Sequence, residues 1–255
     1  MEPAEIHAVM LAAGTGRRLK NSAQKRLPKC LLKFDRKSLL QRHIEALTEA
    51  GVKSLTIIVG FKSHEISREI RNIGANDFVN CVYNDRFEKG SVVSLWCASE
   101  NLRSGHSILF MDADILYHPI LIKKLTAKSN QSIIPYDTEF ELGEEPVKVC
   151  FQNKRPVEFG KLVDCHYDKI GEWPGLILLL PNVANLIADE LDKRILKEDI
   201  DCPYEDAMRE AILGPSRENF NFLDITGIPW IEIDFPEDIK IASSKTLPAI
   251  KSFSG

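Results

Sequence analysis

The chain has 255 residues, of which 44% are hydrophobic and 27% are charged, and its formal net charge at pH 7 is −4. This size and apolar content suit one α/β domain, and the acidic balance argues against a general nucleic-acid-binding protein, which should be basic. The 6 cysteines form no CxxC pair, as expected for reduced thiols rather than a cysteine zinc site. No run approaches the roughly 20 apolar residues that cross a bilayer, and the acidic first five residues do not resemble a signal peptide. We therefore expect a cytoplasmic protein that neither binds nucleic acid nor inserts into a membrane.

Residues 8–32 open the chain with an apolar run, a turn of small residues and a cationic loop. The run Ala8–Leu11 is short, continuous and closed by small residues, which predicts a buried strand. Because Gly14 and Gly16 lack a Cβ, the backbone after this strand can approach a ligand closely and point N–H groups at an anion. The cations that follow would face that charge: Arg17, Arg18, Lys20, Lys25, Arg26 and Lys29. The pattern predicts a phosphate-binding turn, although a solvated basic loop after a core strand has the same composition.

Two common phosphate-binding motifs do not match this turn. A Walker loop needs Lys-Ser/Thr directly after the second glycine of a longer spacing, and the dinucleotide fingerprint needs a third glycine. Residues 14–19 (GTGRRL) contain neither feature. The rigid step Pro28-Lys29 returns the chain to the apolar pair Leu31-Leu32, which favours a ligand-binding loop over a solvated one.

The next part of the chain alternates between helical and strand patterns. Ser38 begins a capping-box pattern, and Gly51 marks the end of the helix that follows it. Strands are predicted over 54–59 and 78–83, with a helix over 63–72 between them. This alternation predicts an α/β fold with a doubly wound, mostly parallel sheet and right-handed crossovers.

A second polar centre, Asp112-Ala113-Asp114, follows an apolar strand at 108–111. Residues two apart on an extended chain share a face, so both carboxylates should lie together at the strand's carboxyl end, where open α/β sheets bind ligands. Neighbouring carboxylates repel unless a cation lies beside them, and hard oxygen ligands near a phosphate-binding turn indicate Mg²⁺. The alternative is that an aspartate caps the helix after His118-Pro119.

The alternation weakens in the second half of the chain. Segments 144–151 and 156–162 are predicted to pair as antiparallel strands, and a very apolar strand is predicted over 176–180. Amphipathic helices are predicted over 182–196 and 204–213. These elements indicate a mixed rather than a purely parallel sheet.

The last polar centre lies within residues 230–238, where isoleucines alternate with Glu232 and Asp234. A proline then begins a helix. Residues 244–255 are polar, and we expect them to form a mobile tail or to take part in self-association.

Residues 11–19 (LAAGTGRRL), followed by 28–32 (PKCLL), resemble the signature of the nucleotidyltransferases that make NDP-sugars and CDP-alcohols. Residues 230–238 (WIEIDFPED) resemble the branch of cytidylyltransferases that act on phospho-alcohols, such as phosphocholine, and on phosphonates. The resemblance implies a Rossmann-like nucleotidyltransferase domain over residues 1–243, with a small antiparallel acceptor-binding lobe at about 140–180. It also implies a Mg²⁺-dependent enzyme that joins CTP to a small phosphorylated substrate and releases pyrophosphate.

The resemblance further implies roles for individual residues. Arg17, Lys29 and Asp114 are implied as catalytic residues, and Asp114 and Asp234 as Mg²⁺ ligands. The implied nucleotide-binding residues are Leu11, Ala12, Ala13, Gly14, Thr15, Gly16, Asn84, Gly90, Ser91, Ser94 and Asp112. The implied acceptor-binding residues are Lys148, Lys161, Glu172 and Trp173.

Simpler alternatives exist for several of these residues. Ser91 could only cap the helix predicted over 92–101, Lys148 and Lys161 could be solvated, and Trp173 could belong to the core. Two alternative functions are a sugar-1-phosphate nucleotidyltransferase that uses UTP, dTTP or GTP, and a non-catalytic nucleotide-binding relative. The sequence also allows a homodimer and does not name the acceptor.

Overall fold

The computed structural model describes residues 5–19 and 27–254 of the chain. Three cations of the predicted phosphate loop, Lys20, Lys25 and Arg26, lie outside the described residues. The strands are β1 Ile6–Ala12, β2 Lys33–Phe34, β3 Lys37–Ser38, β4 Leu55–Val59, β5 Val79–Tyr83, β6 Ser107–Asp112, β7 Ile115–Tyr117, β8 Ser132–Tyr136, β9 Lys148–Gln152, β10 Arg155–Gly160, β11 Lys169–Glu172, β12 Leu176–Leu179, β13 Phe220–Asp224 and β14 Trp230–Glu232. The α-helices are α1 Leu39–Glu49, α2 Ser63–Ile73, α3 Ser91–Trp96, α4 Ser99–Leu102, α5 Ile120–Leu125, α6 Pro181–Leu196, α7 Glu205–Leu213, α8 Pro236–Ile241 and α9 Leu247–Ser252.

A 7-stranded sheet forms the centre of the molecule, in the order β13-β8-β12-β6-β1-β4-β5. Strands β6, β1, β4 and β5 run parallel to one another, and β13 is parallel to β8. Strand β12 lies between β6 and β8 and is antiparallel to both. The predicted α/β fold with a doubly wound, mostly parallel mixed sheet is therefore confirmed.

Helices cover both faces of this sheet because successive strand residues point to opposite sides. In β1, Val9 belongs to one buried cluster, whereas Ala8 and Met10 belong to another. The Val9 cluster is completed by side chains of α3, α4, α6 and α7, and the Met10 cluster by side chains of α1, α2 and α5. A fully buried aliphatic side chain contributes about 1.5–3 kcal/mol, so these two layers fix the position of every central strand.

The carboxyl ends of four parallel strands meet at one edge of the sheet. Leu11 of β1 lies beside Asp112 of β6, and Ala12 lies beside Val59 of β4, which in turn pairs with Tyr83 of β5. The turns that follow β1, β4, β5 and β6 therefore share this edge, which we call the carboxyl edge. It is the edge at which open α/β sheets bind ligands.

A 3-stranded antiparallel sheet in the order β10-β9-β11 lies within residues 148–172, where the sequence predicts a small antiparallel lobe. Glu172 joins it to the main sheet, because its backbone N–H donates to the Asp137 carbonyl at 2.7 Å and its own carbonyl accepts from the Asp137 N–H at 2.9 Å. The lobe is thus fixed to the end of β8.

The prediction of a mobile C-terminal tail is wrong for the part of it that is described. A π-helical turn at Ala242–Thr246 continues α8 directly into α9. Ala242 and Leu247 are buried in a third cluster with Leu116 and Ile233, so apolar residues spaced through the polar segment dock it on the domain. A domain boundary at residue 243 would fall inside this helical segment.

None of the helices in the described ranges, 5–19 and 27–254, is long and apolar enough to cross a membrane.

Candidate active site

A cavity of about 480 Å³ opens at the carboxyl edge. The turn after β1, the end of β6, the segment after β5 and the start of α7 all contribute to its wall. Its lining residues are Leu11, Ala12, Ala13, Gly14, Thr15, Gly16, Arg17, Arg18, Lys29, Cys30, Phe87, Glu88, Lys89, Ser91, Ser94, Asp112, Ala113, Asp114, Lys161, Tyr204, Glu205, Glu232 and Asp234.

The glycine turn, residues 11–16, forms one wall of the cavity along its whole length. Gly16 has φ +59°, a left-handed conformation that glycine adopts without strain. A Cβ placed on Gly14 would meet no atom within 4 Å, so space is open above the backbone there. Open backbone of this kind can receive an anion at its N–H groups.

Phe87 lines the cavity close to the glycine turn because of a glycine on the neighbouring strand end. A Cβ on Gly60, directly after β4, would clash with the side chain of Phe87 and would lie 3.0 Å from the Ala13 carbonyl oxygen. Gly60 therefore lets Phe87 pack next to the turn, and this aromatic ring was not singled out from the sequence.

Lys29 links the two acidic centres at the mouth of the cavity. Its Nζ lies 2.8 Å from Asp114 Oδ2 and 2.7 Å from Asp234 Oδ1, although residues 114 and 234 are far apart in sequence. Burial alone would lower the pKa of Lys29, but the two carboxylates outweigh it and raise the pKa above its ordinary value. Burial opposes the charge of Asp234, yet Lys29 and Arg18 together lower its pKa.

Glu232 adds a third carboxyl group to this centre. Its ligand oxygen and those of Asp114 and Asp234 all lie within 4.8 Å of one another. Burial, followed by the charges of Asp114 and Asp234, raises the pKa of Glu232 to about 8. The sequence spacing predicts that Glu232 and Asp234 lie close together, because residues two apart in a strand share a face.

These three carboxyl groups fit a hard divalent cation. Mg²⁺ prefers oxygen ligands, and Asp114, Glu232 and Asp234 present only carboxylate oxygens. The ammonium group of Lys29 lies between two of them, which indicates that the centre needs positive charge to be stable.

Asp112, the first member of the acidic pair, has a different environment from Asp114. It accepts a hydrogen bond from the Tyr204 hydroxyl. Burial, together with the charges of Asp114 and Glu232, raises its pKa well above the ordinary value. Gly175 makes this position possible, because a Cβ there would lie 2.7 Å from Asp112 Oδ2.

His43 supports the acidic turn from beneath. It is fully buried, and its Nε2 donates to the Ala113 carbonyl at 3.2 Å while Nδ1 accepts from the Tyr117 hydroxyl at 3.1 Å. Burial lowers the pKa of His43 to about 4, so the ring is neutral at pH 7. His43 lies on helix α1, and its position on the apolar face of a helix gave no sign of this contact.

Ser91 and Ser94 line the cavity as predicted, but two of their predicted partners do not. Asn84 is only 1% exposed, and its Nδ2 donates to Ser94 Oγ at 3.0 Å, so it positions Ser94 from within the core. Gly90 lets the backbone of the segment before α7 pass close by, since a Cβ there would clash with the Cys202 carbonyl oxygen.

Ser91 is not the helix cap that the sequence allowed as an alternative. Helix α3 has Gly90 as its N-cap residue and Ser91 as its first helical residue. The Ser91 Oγ instead accepts a hydrogen bond from the Tyr204 N–H at 3.0 Å. Ser91 thereby ties the start of α3 to the residue that precedes α7.

Of the four residues assigned to the acceptor, Lys161 lines the cavity and the other three are absent from the described lining residues. Lys148 is buried, and its Nζ donates to the Lys161 carbonyl at 2.8 Å, so it holds the backbone that carries Lys161. Glu172 lies outside the lining on β11, and burial and the nearby Asp137 raise its pKa to about 7.

Trp173 is a core residue rather than a wall of the site. It is 3% exposed, and its indole N–H donates to the Leu176 carbonyl at 2.7 Å. Its ring packs against Phe110, Phe159 and Tyr204. An aromatic residue before an apolar strand has the same pattern whether it faces a ligand or the core, which explains the incorrect prediction.

Tyr204 and Glu205 line the cavity, although neither was assigned to the site from the sequence. Both lie at the start of α7, where acidic residues at a helix N-terminus are favourable without any ligand. Because this preference needs no ligand, the sequence pattern did not identify either residue as part of a binding site. Burial raises the pKa of Glu205, and its Oε2 is buried with no hydrogen-bond partner among the described residues.

Glu145 lies over the cavity in the segment before β9. Its Oε2 is 3.0 Å from Arg18 Nη2 and 3.2 Å from Lys161 Nζ, while Arg18 Nη1 also pairs with Asp234 at 2.7 Å. All of these charged ends are partly exposed, so the pairs are weak and exchangeable. One exposed carboxylate thus neutralises two cations of the cavity.

Comparison with known proteins supports the nucleotidyltransferase class that the sequence motifs predict. A MobA-like NTP transferase domain matches residues 8–160. A CTP:phosphoglutamine cytidylyltransferase of Campylobacter jejuni is 24% identical over 259 residues, which cover 94% of this chain and 100% of that protein.

Two solved structures share the fold. The inositol-1-phosphate CTP transferase from T. maritima has a TM-score of 0.75 at 20% identity, with 100% of both chains covered. The CTP:phosphocholine cytidylyltransferase from Streptococcus pneumoniae has a TM-score of 0.72 at 22% identity, with 94% of this chain and 98% of that chain covered. The names of all three proteins specify CTP as the nucleotide, two of them name a phospho-alcohol, and the nucleotidyltransferase class predicted from the motifs is confirmed. Since the family match spans more than half of the chain, this protein belongs to the MobA-like NTP transferase family.

Proposed function

We propose that this protein is a Mg²⁺-dependent cytidylyltransferase that joins CTP to a small phosphorylated alcohol or phosphonate. The products would be a CDP-alcohol or CMP-phosphonate, and pyrophosphate. The observation that carries the proposal is Lys29, held between Asp114 and Asp234 beside an open glycine turn in one cavity. The choice of CTP is supported by relatives whose names specify CTP or cytidylyl transfer.

The glycine turn and Arg17 would bind the β- and γ-phosphates. Open backbone at Gly14 leaves room for phosphate oxygens, and the Arg17 side chain lines the same wall. Main-chain N–H groups and a guanidinium supply directional donors and charge to such oxygens.

Lys29 would contact the α-phosphate of CTP and the phosphate of the acceptor. An acceptor phosphate oxygen attacks the α-phosphorus in line, a new P–O bond forms, and the bond to the β-phosphate oxygen breaks to release pyrophosphate. Both reactants are anions, so a fixed cation between them lowers their repulsion in the transition state. No protein nucleophile is required, and burial raises the pKa of the cavity-lining Cys30 thiol, which keeps it protonated.

Asp114 and Asp234 would hold the Mg²⁺ ion, with Glu232 as a third carboxylate of the same cluster. When bound, the ion supplies positive charge to the phosphate oxygens at the reacting centre. The residues of the chain would position the two phosphates relative to each other.

Lys161 would bind the acceptor phosphate, and Tyr204 and Glu205 would bind the remainder of the acceptor. All three line the cavity, and Lys148 fixes the Lys161 backbone through a hydrogen bond of 2.8 Å. The buried, unpartnered Oε2 of Glu205 is suited to accept a hydrogen bond from a hydroxyl or an amine.

A matrix of nucleotides and acceptors tests the proposal. Pyrophosphate release is measured with CTP, UTP, dTTP and GTP against choline, ethanolamine, inositol and glycerol phosphates, aminoethylphosphonate and a sugar 1-phosphate, with and without a chelator. We expect release with CTP and at least one acceptor, and loss of release when Mg²⁺ is removed. Preference for UTP or dTTP with a sugar 1-phosphate would overturn the proposal, as would nucleotide binding without turnover for every acceptor.

A further inference from the structure

A second group of potential metal ligands lies at the amino edge of the sheet, opposite the cavity. Glu5 directly precedes β1, His7 is the second residue of β1, and His106 directly precedes β6. One carboxylate oxygen of Glu5 and one ring nitrogen of each histidine lie within 4.8 Å of one another. The two imidazole rings are 4.5 Å apart between centroids.

His7 has an unused ring nitrogen that faces this group. Its Nδ1 is hydrogen-bonded to Ser54 Oγ at 2.7 Å, whereas its Nε2 is buried and has no hydrogen-bond partner among the described residues. The nearest carboxylate oxygen, Glu5 Oε2, lies 3.8 Å from Nε2, which is too far for a hydrogen bond. A buried polar atom without a partner needs an explanation, and a missing ligand is one.

We propose that Glu5, His7 and His106 bind one divalent transition-metal ion of the Zn²⁺ class. Two imidazole nitrogens and one carboxylate oxygen suit Zn²⁺ or Co²⁺ rather than Mg²⁺, which prefers oxygen ligands alone. Tetrahedral ligands about 2.0–2.1 Å from zinc lie about 3.4 Å apart, so the donors need to approach by little more than 1 Å. The fourth position would be left to water or another small ligand.

The surrounding groups hold His7 in an orientation that suits a metal ligand. The bond from Nδ1 to Ser54 fixes the ring, as an outer-sphere partner does for a metal-bound histidine. Lys53 is the opposing cation, and its Nζ lies 3.8 Å from the other carboxylate oxygen of Glu5, Oε1.

Such an ion would join the first residues of β1 to the loop before β6. These two strands are already paired in the sheet, so the ion would stabilise the amino edge without touching the cavity. The distance from His7 to the carboxyl end of β1 is about 17 Å at 3.3 Å per residue. The proposal is therefore independent of the transferase reaction.

The test is a calorimetric titration of the chelator-treated full chain with Zn²⁺, in excess Mg²⁺ so that the acidic centre of the cavity is occupied. We expect one binding site that depends on the two histidines, and a thermal midpoint that rises on addition of Zn²⁺. His7→Gln and His106→Gln should each weaken binding by more than the roughly 10–100-fold that loss of an outer-sphere partner causes. Ser54→Ala should weaken it within that range.

His64→Gln is the matched control, because His64 is exposed and lies outside the cluster. Co²⁺ in place of Zn²⁺ reports the ligand type, and the spectrum should lack thiolate charge transfer. Equal affinity of wild type, His7→Gln and His106→Gln would overturn the proposal, as would a thiolate signature. The glutamine substitutions lie outside the cavity, so pyrophosphate release by each variant checks that it is folded. If a variant is unfolded, the wild-type titration decides, and the absence of a Zn²⁺ site there overturns the proposal.

Discussion

The two sides of the cavity are built in different ways. On the phosphate side, the glycine turn and the acidic turn at 112–114 lie at the ends of adjacent strands, and His43 supports the acidic turn from the core. Lys29 reaches Asp114 from a separate short 3₁₀ turn. On the side that we propose for the acceptor, Lys161 and Glu205 come from separate elements, and Lys161 forms a partly exposed ion pair with Glu145. The sheet therefore fixes the reacting centre that we propose, whereas the residues that we propose for the acceptor come from elements outside the main sheet. Substitutions on the first side should change turnover and stability, and those on the second should change selectivity.

The largest effect is expected on the phosphate side. Asp114→Ala or Lys29→Ala should each lower turnover by on the order of 10²–10³, the size seen when a key charge stabiliser is lost. Asp189→Ala and Lys33→Ala are matched controls, since both residues are exposed and neither is among the residues that line the cavity. Steady-state pyrophosphate release of the purified variants measures the effect. Near-normal turnover of Asp114→Ala would contradict the assignment of the acidic centre.

His43, which supports the phosphate side, should make the free energy of unfolding of the protein depend on pH. Its pKa of about 4 in the folded state lies below the ordinary 6.5, so the unfolded chain binds more protons than the native state. The stabilisation is fully present above about pH 6.5 and is lost as the pH falls towards 4, which amounts to about 3 kcal/mol. His43→Gln keeps an N–H donor for the Ala113 carbonyl but cannot titrate. Urea unfolding of both proteins across this pH range should show the extra slope only in wild type; identical slopes would refute the role of His43.

Alanine substitutions at Gly175 and at a control glycine distinguish two costs: the steric clash with Asp112 and the strain of a left-handed backbone. Gly175→Ala combines a left-handed φ of +73° with a Cβ only 2.7 Å from Asp112 Oδ2. Gly227→Ala is the control, because Gly227 has φ +87° and open space around it. We expect a loss of about 1 kcal/mol at Gly227 and a further 1–3 kcal/mol at Gly175, measured by chemical denaturation. Equal losses at the two positions would mean that Asp112 moves aside freely.

Glu205 tests the acceptor side directly. Glu205→Gln preserves the shape of the side chain but cannot carry a charge. The KM for the acceptor should rise about tenfold while the KM for CTP stays unchanged. A tenfold rise corresponds to about 1.4 kcal/mol, which is the size of one hydrogen bond to a charged group. Glu210→Gln, on an exposed part of the same helix, is the control. A rise in the KM for CTP instead would place Glu205 on the phosphate side.

The smallest effect is expected at Glu145. Glu145→Gln frees Arg18 and Lys161 from an exposed competing carboxylate, so the KM for nucleotide or acceptor should fall about two- to fivefold. The neighbouring exposed Glu144→Gln should leave both KM values unchanged. If Glu145→Gln raises either KM, Glu145 helps to bind substrate rather than competing with it.

The phosphate side could be predicted from the sequence because its signals are local. The glycine turn directly follows a strand, and Asp112 and Asp114 end another, so the parallel topology alone brings them to one edge. Ser38 likewise caps helix α1 as predicted, with its Oγ accepting from the Gln41 N–H at 3.1 Å.

The acceptor side could not be predicted in the same way. Trp173 and Glu172 follow a turn that looks suited to a ligand, but packing around Phe110 takes the tryptophan into the core. Tyr204 reaches Asp112 only because α7 folds back over the sheet, a contact 92 residues away in sequence. Such long-range packing leaves no periodic pattern in the chain.

The docking of the last two helices has a consequence for truncated proteins. A premature stop codon after position 241 would keep every residue that lines the cavity, since the last of them is Asp234. It would nevertheless remove Ala242 and Leu247, which pack behind Ile233 in the short run that carries Glu232 and Asp234. Loss of the 14 residues after position 241 should therefore inactivate the enzyme by loosening its acidic centre from behind, without deleting a single residue that lines the cavity.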